Sequence, residues 1–495
     1  MNSGAVRIYK NQINGEFVDS VSGKTLERTN PVTGEVVSRF ADSTEEDINA
    51  AVTAARNAFD KGPWPRMTGV ERSRILYNLA RRLEQETEML ARIETEECGK
   101  IIKIARGDIA GTVAEIDYAA GLAQQIHGES YNNLGEKYIA YTMREPIGVV
   151  GIIVPWNFPT FVFSLSFPFA LAAGCTVVVK ASSNTPGTST EICRMAEEVG
   201  VPKGVINVVN GRGATAGAAL VQHPDVDRIC FTGSTEVGKD IIEKSCETFK
   251  RVCAELGGKA ASVVFADADI DDAIDGTMLG IFYHQGEVCC ATSRLIVEDS
   301  IADELIGKLV ERTKKLRIGD PMNDDTDVTT MVDEAQFNKV MEYIEVGKAE
   351  GARLATGGRS VTVDECKCGY FIEPTIFDSV ARNMRIFQEE IFGPVLTITR
   401  FKTVEEAIEL ANDTQFGLSN AVWTKDIDKA MVVSRALKSG SVWVNTAVDL
   451  TTQLPYGGYK ASGVGRESGN MGMEEFTEVK GVKIHIGKRS PFYQV

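Results

Sequence analysis

Histidine is scarce in this chain: there are four, at His127, His223, His284 and His485, in 495 residues. Residues so few and so far apart argue against a multi-histidine metal centre. Positive charge is also in short supply, with 53 Lys and Arg against 69 Asp and Glu and a formal net charge of −16. Nucleic-acid binding needs a basic face, so no nucleic-acid partner is expected, and the negative excess favours a soluble chain. No Pro/Ser-rich linker and no internal repeat interrupts the sequence, which predicts closely docked domains. The first residues, Met1-Asn2-Ser3-Gly4, show neither the apolar core of a secretory signal nor an Arg-rich transit pattern, so a cytoplasmic location is expected. Charge is absent from Pro146 to Val179. Pro155, Pro159, Pro168 and Asn157 break that stretch, so it reads as a buried strand, a turn and a core-facing helix, not as a membrane span.

Cysteine, by contrast, is plentiful. The ten cysteines are scattered, and the close pairs Cys289-Cys290 and Cys366-Lys367-Cys368 are too near each other to staple anything. They read as free thiols in a reducing compartment. The Cys366/Cys368 spacing does not suit a zinc knuckle and no histidine is near, so no metal is expected. The length allows two or three domains with ample core.

Along the chain, Asn14-Gly15 between Gln12-Ile13 and Glu16-Phe17-Val18 predicts a hairpin. Pro31–Gly34 is a second turn. Ser43 with Glu46, and Thr68 with Glu71, have capping-box spacing before apolar residues at helical period. A further helical stretch is predicted over Ile109–Ile126, its charged flank read as a solvated face. From Gly148 short apolar runs alternate with helical ones. Strands are predicted at Val149–Val154, Thr176–Val179, Val205–Val209 and Arg228–Phe231. Helices are predicted at Ser164–Ala173, Ser189–Val199, Ala214–His223 and Glu236–Cys246. This is the pattern of βαβ units and a parallel sheet. The second half repeats it, with strands at Ser262–Phe265, Leu295–Val297 and Ser441–Val444 and helices near 301–316, 334–349 and 403–412. Parallel sheets bind ligands at the carboxyl ends of their strands. That rule points to Pro155-Trp156-Asn157, Lys180-Ala181-Ser182-Ser183 and Phe231-Thr232-Gly233-Ser234. The tail, Val479–Val495, mixes β-branched and basic residues and reads either as a strand for subunit pairing or as disorder.

The chemistry concentrates in a few loops. His284-Gln285-Gly286-Glu287-Val288-Cys289-Cys290 lies between a predicted helix and a strand, and Gly286 permits a tight turn that aims Cys289 into a cleft. A thiolate there is a candidate for covalent catalysis; the competing reading makes both cysteines small buried hydrophobes. Gly211-Arg212-Gly213-Ala214-Thr215-Ala216 has dinucleotide-fingerprint spacing, but the acidic residue expected about twenty residues later is not clearly placed. Its glycines are therefore read as lining a cofactor edge. Phe231-Thr232-Gly233-Ser234, which ends a strand and opens a helix, is the better pyrophosphate candidate, unless Ser234 is simply an N-cap. Glu255 precedes Gly257-Gly258 and is a candidate general base if burial raises its pKa.

Taken in order, Pro155-Trp156-Asn157-Phe158-Pro159, Phe231–Ser234, Glu255-Leu256-Gly257-Gly258-Lys259, Gln285–Cys289, Glu390-Ile391-Phe392-Gly393-Pro394-Val395 and Pro455–Gly463 resemble the NAD(P)-dependent aldehyde dehydrogenase superfamily over nearly the whole chain. The resemblance implies an α/β fold: a Rossmann-like cofactor domain (1–125 and 147–257), an α/β catalytic domain (258–460), and a small β oligomerisation element (126–146 and 475–495). It implies Cys289 as nucleophile, Asn157 as oxyanion donor and Glu255 as base. It places Val154, Trp156, Lys180, Ser183, Gly213, Gly233, Ser234, Glu390 and Phe392 at cofactor-contact positions, with Cys290 a bystander. NAD(P)+ is the implied cofactor, a small-molecule aldehyde the substrate, and a homodimer or homotetramer the assembly. Departures refine this. Where the family often reads Lys-Pro-Ser-Glu, the chain has Lys180-Ala181-Ser182-Ser183. The missing carboxylate removes repulsion against a 2′-phosphate, so NADP acceptance is expected. Leu165 stands where succinic semialdehyde dehydrogenases carry Arg and betaine aldehyde dehydrogenases carry Trp. With Phe161, Val162 and Tyr456 it predicts a pocket for an uncharged, apolar aldehyde. His284 and Glu287 replace the commoner Asn and Gln. A Cys-dependent hydrolase or acyltransferase using His284 or another histidine as base, and a CoA-acylating relative, are the alternatives.

Overall fold

The structure is a computed structural model that describes residues 5–493; the reading of Met1–Gly4, and the last two residues of the tail, lie outside them. Its centre is an eight-stranded sheet. Five of its strands are parallel: Val149–Ile153, Thr176–Lys180, Ile206–Val208, Arg228–Thr232 and Arg251–Glu255. Numbered along the chain they lie in the order 3-2-1-4-5. The chain steps outward twice from Val149–Ile153, then returns to the other side of it. That reversal opens a crevice beyond the carboxyl ends of Val149–Ile153 and Arg228–Thr232, where such sheets bind ligands. The predicted Asn14-Gly15 hairpin forms, with Asn14 at φ 51 and Gly15 at φ 73. It adds two antiparallel strands to one edge of the sheet. Gly463–Val464, from the far end of the chain, pairs antiparallel with Arg251–Glu255 and closes the other edge.

A second sheet of seven strands carries Ala261–Val264 and Arg294–Glu298 near its middle. It is parallel except for Arg353–Thr356 at one edge. Strands in the middle of both sheets read as near-continuous apolar runs because helices cover both faces. Val177, Val178, Val179, Leu295, Ile296 and Val297 are fully buried. A third, small sheet joins Ser130–Tyr131 and Tyr138–Pro146 to Thr477–His485. The tail is thus a strand paired within its own chain, nine residues in register from Thr477↔Pro146 to His485↔Tyr138. No helix among the described residues is long and apolar enough to cross a membrane.

Several expectations need correction. The first helix, Glu45–Lys61, is capped by Thr44 with Asp47, one residue on from the Ser43/Glu46 pair. Asp47 wins because its buried carboxylate also accepts from Ser20 and Val21. The Thr68/Glu71 box is present as read. The predicted helix over Ile109–Ile126 runs from Ile102 to Leu122, and its charged flank is not solvated: Asp108 and Glu115 are buried. Asp108, with Glu94, is drawn inside by the fully buried ammonium of Lys100. Ser164–Ala173 is two short helices, Phe161–Ser164 and Phe167–Ala173, with Pro168 in the first turn of the second, where a missing N–H costs nothing. The strand Arg251–Glu255 and the helix Thr87–Cys98 were not anticipated.

Candidate active site

The nucleophile loop begins at the end of the helix Ile270–Phe282, which Asp269 caps through Asp271 N and Asp272 N. His284, Gln285 and Gly286 then follow at φ 45, 42 and 76. Only the glycine adopts this left-handed region freely. A Cβ at 286 would collide with the Gly393 carbonyl. The run reverses the chain and leaves Cys289 at a cavity wall before the strand Arg294–Glu298 begins. The Cys289 Sγ is 3.4 Å from the Tyr456 hydroxyl. Its pKa is raised well above the ordinary thiol value, by the hydrogen bond with Cys290 first and by burial second.

The cavity holds about 330 Å³. Phe158, Phe161, Val162, Leu165 and Tyr456 make its walls apolar, and Cys289, Glu255 and Glu467 open into it. Glu255 ends its strand, and neither of its buried carboxyl oxygens makes a hydrogen bond. Burial, then the neighbouring Glu467 and Cys289, push its pKa well above the carboxylate range. Glu467 is itself pushed up to about 8, mainly by burial. It went unnoticed in the sequence; the signal available was a charged Arg466-Glu467 pair inside the glycine-rich run that follows Pro455–Gly463. Asn157 follows the first parallel strand and is buried, its Nδ2 donating to the Glu287 carbonyl at 2.9 Å. No histidine lines the cavity. His284 is fully buried with its ring edge-on to Phe158 at 5.2 Å, and burial drives its pKa well below the usual imidazole value. A histidine-assisted hydrolase therefore finds no base at this thiol.

The remaining predicted residues gather around the sheet crevice. Val154 N–H donates to the Lys180 carbonyl, tying the ends of adjacent strands together. Lys180 is buried, and burial alone lowers its ammonium pKa to about 8, with no carboxylate opposing. The Ser183 hydroxyl donates to the Gly211 carbonyl at 3.1 Å. Gly213 opens a π-helical turn, and a Cβ there would meet only open space. Ser234 is the N-cap of the helix Thr235–Ser245, its oxygen accepting from Val237 N and its hydroxyl proton still available. Gly233, just before it, has no room for a side chain against the Phe231 ring. Glu390 accepts from Gly258 N at 2.9 Å. The Phe392 ring stands edge-on to Trp156 at 5.5 Å, and Gln336, also missed in the sequence, donates to the Phe392 carbonyl at 2.6 Å. An anion-accepting helix start, an open glycine turn and an unopposed cation around one sheet reversal fit the phosphates of a dinucleotide.

A dinucleotide-type sheet beside an apolar cavity with one accessible thiol defines a class: a cofactor-dependent enzyme that works through a cysteine. Comparison with known proteins gives the family. The model of the aldehyde dehydrogenase family matches residues 17–482. Aldehyde dehydrogenase family 2 member C4 of Arabidopsis thaliana is 45% identical over 483 residues, 97% of this chain and 96% of that one. Aldehyde dehydrogenase 1A1 of Mesocricetus auratus is 45% identical, over 97% of this chain and 95% of its own. Among solved structures, an NAD-dependent aldehyde dehydrogenase from Sinorhizobium meliloti superposes with TM-score 0.97 at 43% identity, covering 99% of this chain and 97% of that one. A betaine aldehyde dehydrogenase from Staphylococcus aureus in complex with NAD+ gives TM-score 0.96 at 38% identity, covering 98% and 96%. The chain belongs to the aldehyde dehydrogenase family, and it is an oxidoreductase acting on aldehydes.

Proposed function

We propose that the chain oxidises an uncharged, apolar aldehyde to its carboxylic acid through covalent attachment to Cys289. One observation carries the reading: the Cys289 sulfur and the unbonded carboxyl of Glu255 open into a single apolar cavity beside the carboxyl ends of the cofactor-type sheet. The Cys289 thiolate adds to the aldehyde carbon. The Asn157 amide and the Cys289 N–H hold the resulting oxyanion, where preorganised donors act most strongly in a dry site. A bound nicotinamide dinucleotide supplies the hydride acceptor. Val154, Trp156, Lys180, Ser183, Gly213, Gly233, Ser234, Glu390 and Phe392 would hold it. Glu255 then takes a proton from the water that cleaves the thioester. Its two free oxygens in the cavity favour water over CoA as the acyl acceptor. Leu165, buried among apolar neighbours, gives neither a cation for a carboxylate nor an aromatic face for a quaternary ammonium. Ser183 in place of an acidic residue leaves a 2′-phosphate unopposed beside Lys180, so NADP is accepted as well as NAD. We further propose the division into 1–125 with 147–257, 258–460, and 126–146 with 475–495, a homodimer or homotetramer, and a cytoplasmic location.

The test is an aldehyde panel run with NAD and with NADP on the wild type and on Cys289→Ala. Cofactor reduction by the wild type and its loss in the variant are expected. Unchanged turnover in Cys289→Ala overturns the mechanism, and a hundredfold preference for NAD overturns the NADP reading.

A further inference from the structure

Left-handed backbone at His284 and Gln285 is unfavourable for residues with a Cβ. The loop persists because side chains pin it on the side away from the cavity. Gln285 Nε2 donates to the Thr330 carbonyl at 2.9 Å and to Glu287 Oε2 at 2.9 Å. Val332 N–H donates to Glu287 Oε1 at 3.1 Å. Both oxygens of a fully buried carboxyl are thus engaged. Val332 is held from its other side too: its carbonyl accepts from Arg28 Nη2 at 2.8 Å, while Arg28 Nε donates to the Glu97 carbonyl at 2.7 Å. The strap at 330–332 is therefore fixed to the N-terminal strand Thr25–Thr29 and to the end of the helix Thr87–Cys98. What this anchor fixes in turn is the peptide plane of Glu287, whose carbonyl receives one of the two N–H groups of the Asn157 amide.

We infer that Glu287 is a positioning residue for the reaction: its carboxyl locks the carbonyl that orients the Asn157 amide, leaving the second amide N–H for the substrate oxygen. The inference rests on the reading of Asn157 as oxyanion donor. Alanine at 287 releases both donors, Gln285 Nε2 and Val332 N, and leaves them buried. Glutamine keeps one acceptor oxygen and so keeps one of the two bonds.

A double-mutant cycle separates this from a merely structural role, because residues acting through one group are non-additive. Asn157→Ala should lower kcat by about 10²- to 10³-fold, the usual loss for one oxyanion donor. Glu287→Ala should lower kcat by about tenfold and leave the cofactor KM within about twofold, as expected when only transition-state binding is lost. The double variant should be no slower than Asn157→Ala, and Glu287→Gln should recover to within about threefold of wild type because one bond of the pair remains. An unchanged kcat in Glu287→Ala overturns the inference. So does a double variant slowed by the product of the single losses. If Glu287→Ala does not fold, Gln285→Ala, which removes the donor to Glu287 Oε2 and should also slow kcat, takes its place in the cycle under the same criterion. If Asn157→Ala keeps full activity, the oxyanion reading fails first and this inference falls with it. A full loss in Asn157→Ala with a multiplicative cycle sinks this inference alone.

Discussion

Glu255 and Glu115 show how burial turns a common side chain into a specialised one. Glu255 has to be ionised to take a proton from water, and its pKa is raised by burial, Glu467 and Cys289. Steady-state turnover should therefore climb with pH until the carboxyl has ionised. Glu255→Gln should abolish that limb and cut kcat by about 10²-fold or more, the usual share of a general base. A first-turnover burst of reduced cofactor should remain, and stopped-flow absorbance measures both. Glu115 is buried below Ser468 and pushed up to about 7, chiefly by desolvation. On folding Glu115 holds a proton that the unfolded chain releases above about pH 4.5, so its own contribution to stability falls as pH rises from there to about 7 and is level beyond. Glu115→Gln should remove that share of the pH dependence and raise stability at pH 8 by up to about 3 kcal/mol more than at pH 4.5, relative to wild type. Denaturant melts at pH 5 and pH 8 test this. Cys289 and Asn157 were legible as candidates because they follow a predicted helix and strand, and Glu255 because it precedes the Gly257-Gly258 loop. Glu467 was not, since it reaches the site only when the last third of the chain folds back over it.

At the scale of elements, local chemistry was readable wherever it was self-sufficient. The Asn14-Gly15 hairpin and the Thr68/Glu71 box need only their own residues, and both are present. The strand Arg251–Glu255 was hidden because it opens on an exposed arginine and closes on the buried glutamate; only its middle is apolar. The sheet around it, not its own pattern, makes it a strand. Likewise Glu115 reads as part of a solvated flank because nothing local reveals that Ser468, from far along the chain, will cover it. The nucleophile turn carries its own prediction. Gly286→Ala forces a Cβ into the Gly393 carbonyl and into left-handed backbone, so it should displace Cys289. Aldehyde turnover should drop by at least about tenfold, and Cys289 alkylation by iodoacetamide should slow in parallel, since a misplacement of about 1 Å already costs about 10²-fold. Unchanged alkylation and turnover would show that the turn does not set the thiol.

For the whole molecule, the small third sheet stands out. On one of its faces Ile139 pairs directly with Ile484, with Tyr141 opposite Val482 beside them and Met143 next along the strand. Ile139 is 49% exposed and Ile484 45%. Alternation along a strand puts these side chains on one side, with Lys480 opposite Met143, and we propose this largely apolar face as the association surface. The proposed homo-oligomer gives it an occupant. Ile139→Asp with Ile484→Asp should shift the mass measured by light scattering to that of a single chain, 53.8 kDa. An unchanged mass would place the subunit contact elsewhere.

The seal that Gly463–Val464 sets on the edge of the central sheet has a consequence for biosynthesis. The strand it covers bears Glu255, and the neighbouring Glu467 lines the same cavity. A ribosome that has delivered the thiol at 289 still has more than a third of the polypeptide to make before that carboxylate strand acquires its outer neighbour. Every emerging copy thus passes through an interval in which the sulfur exists but its base is unshielded. The catalytic cavity can be complete only once residues 463–467 have been made.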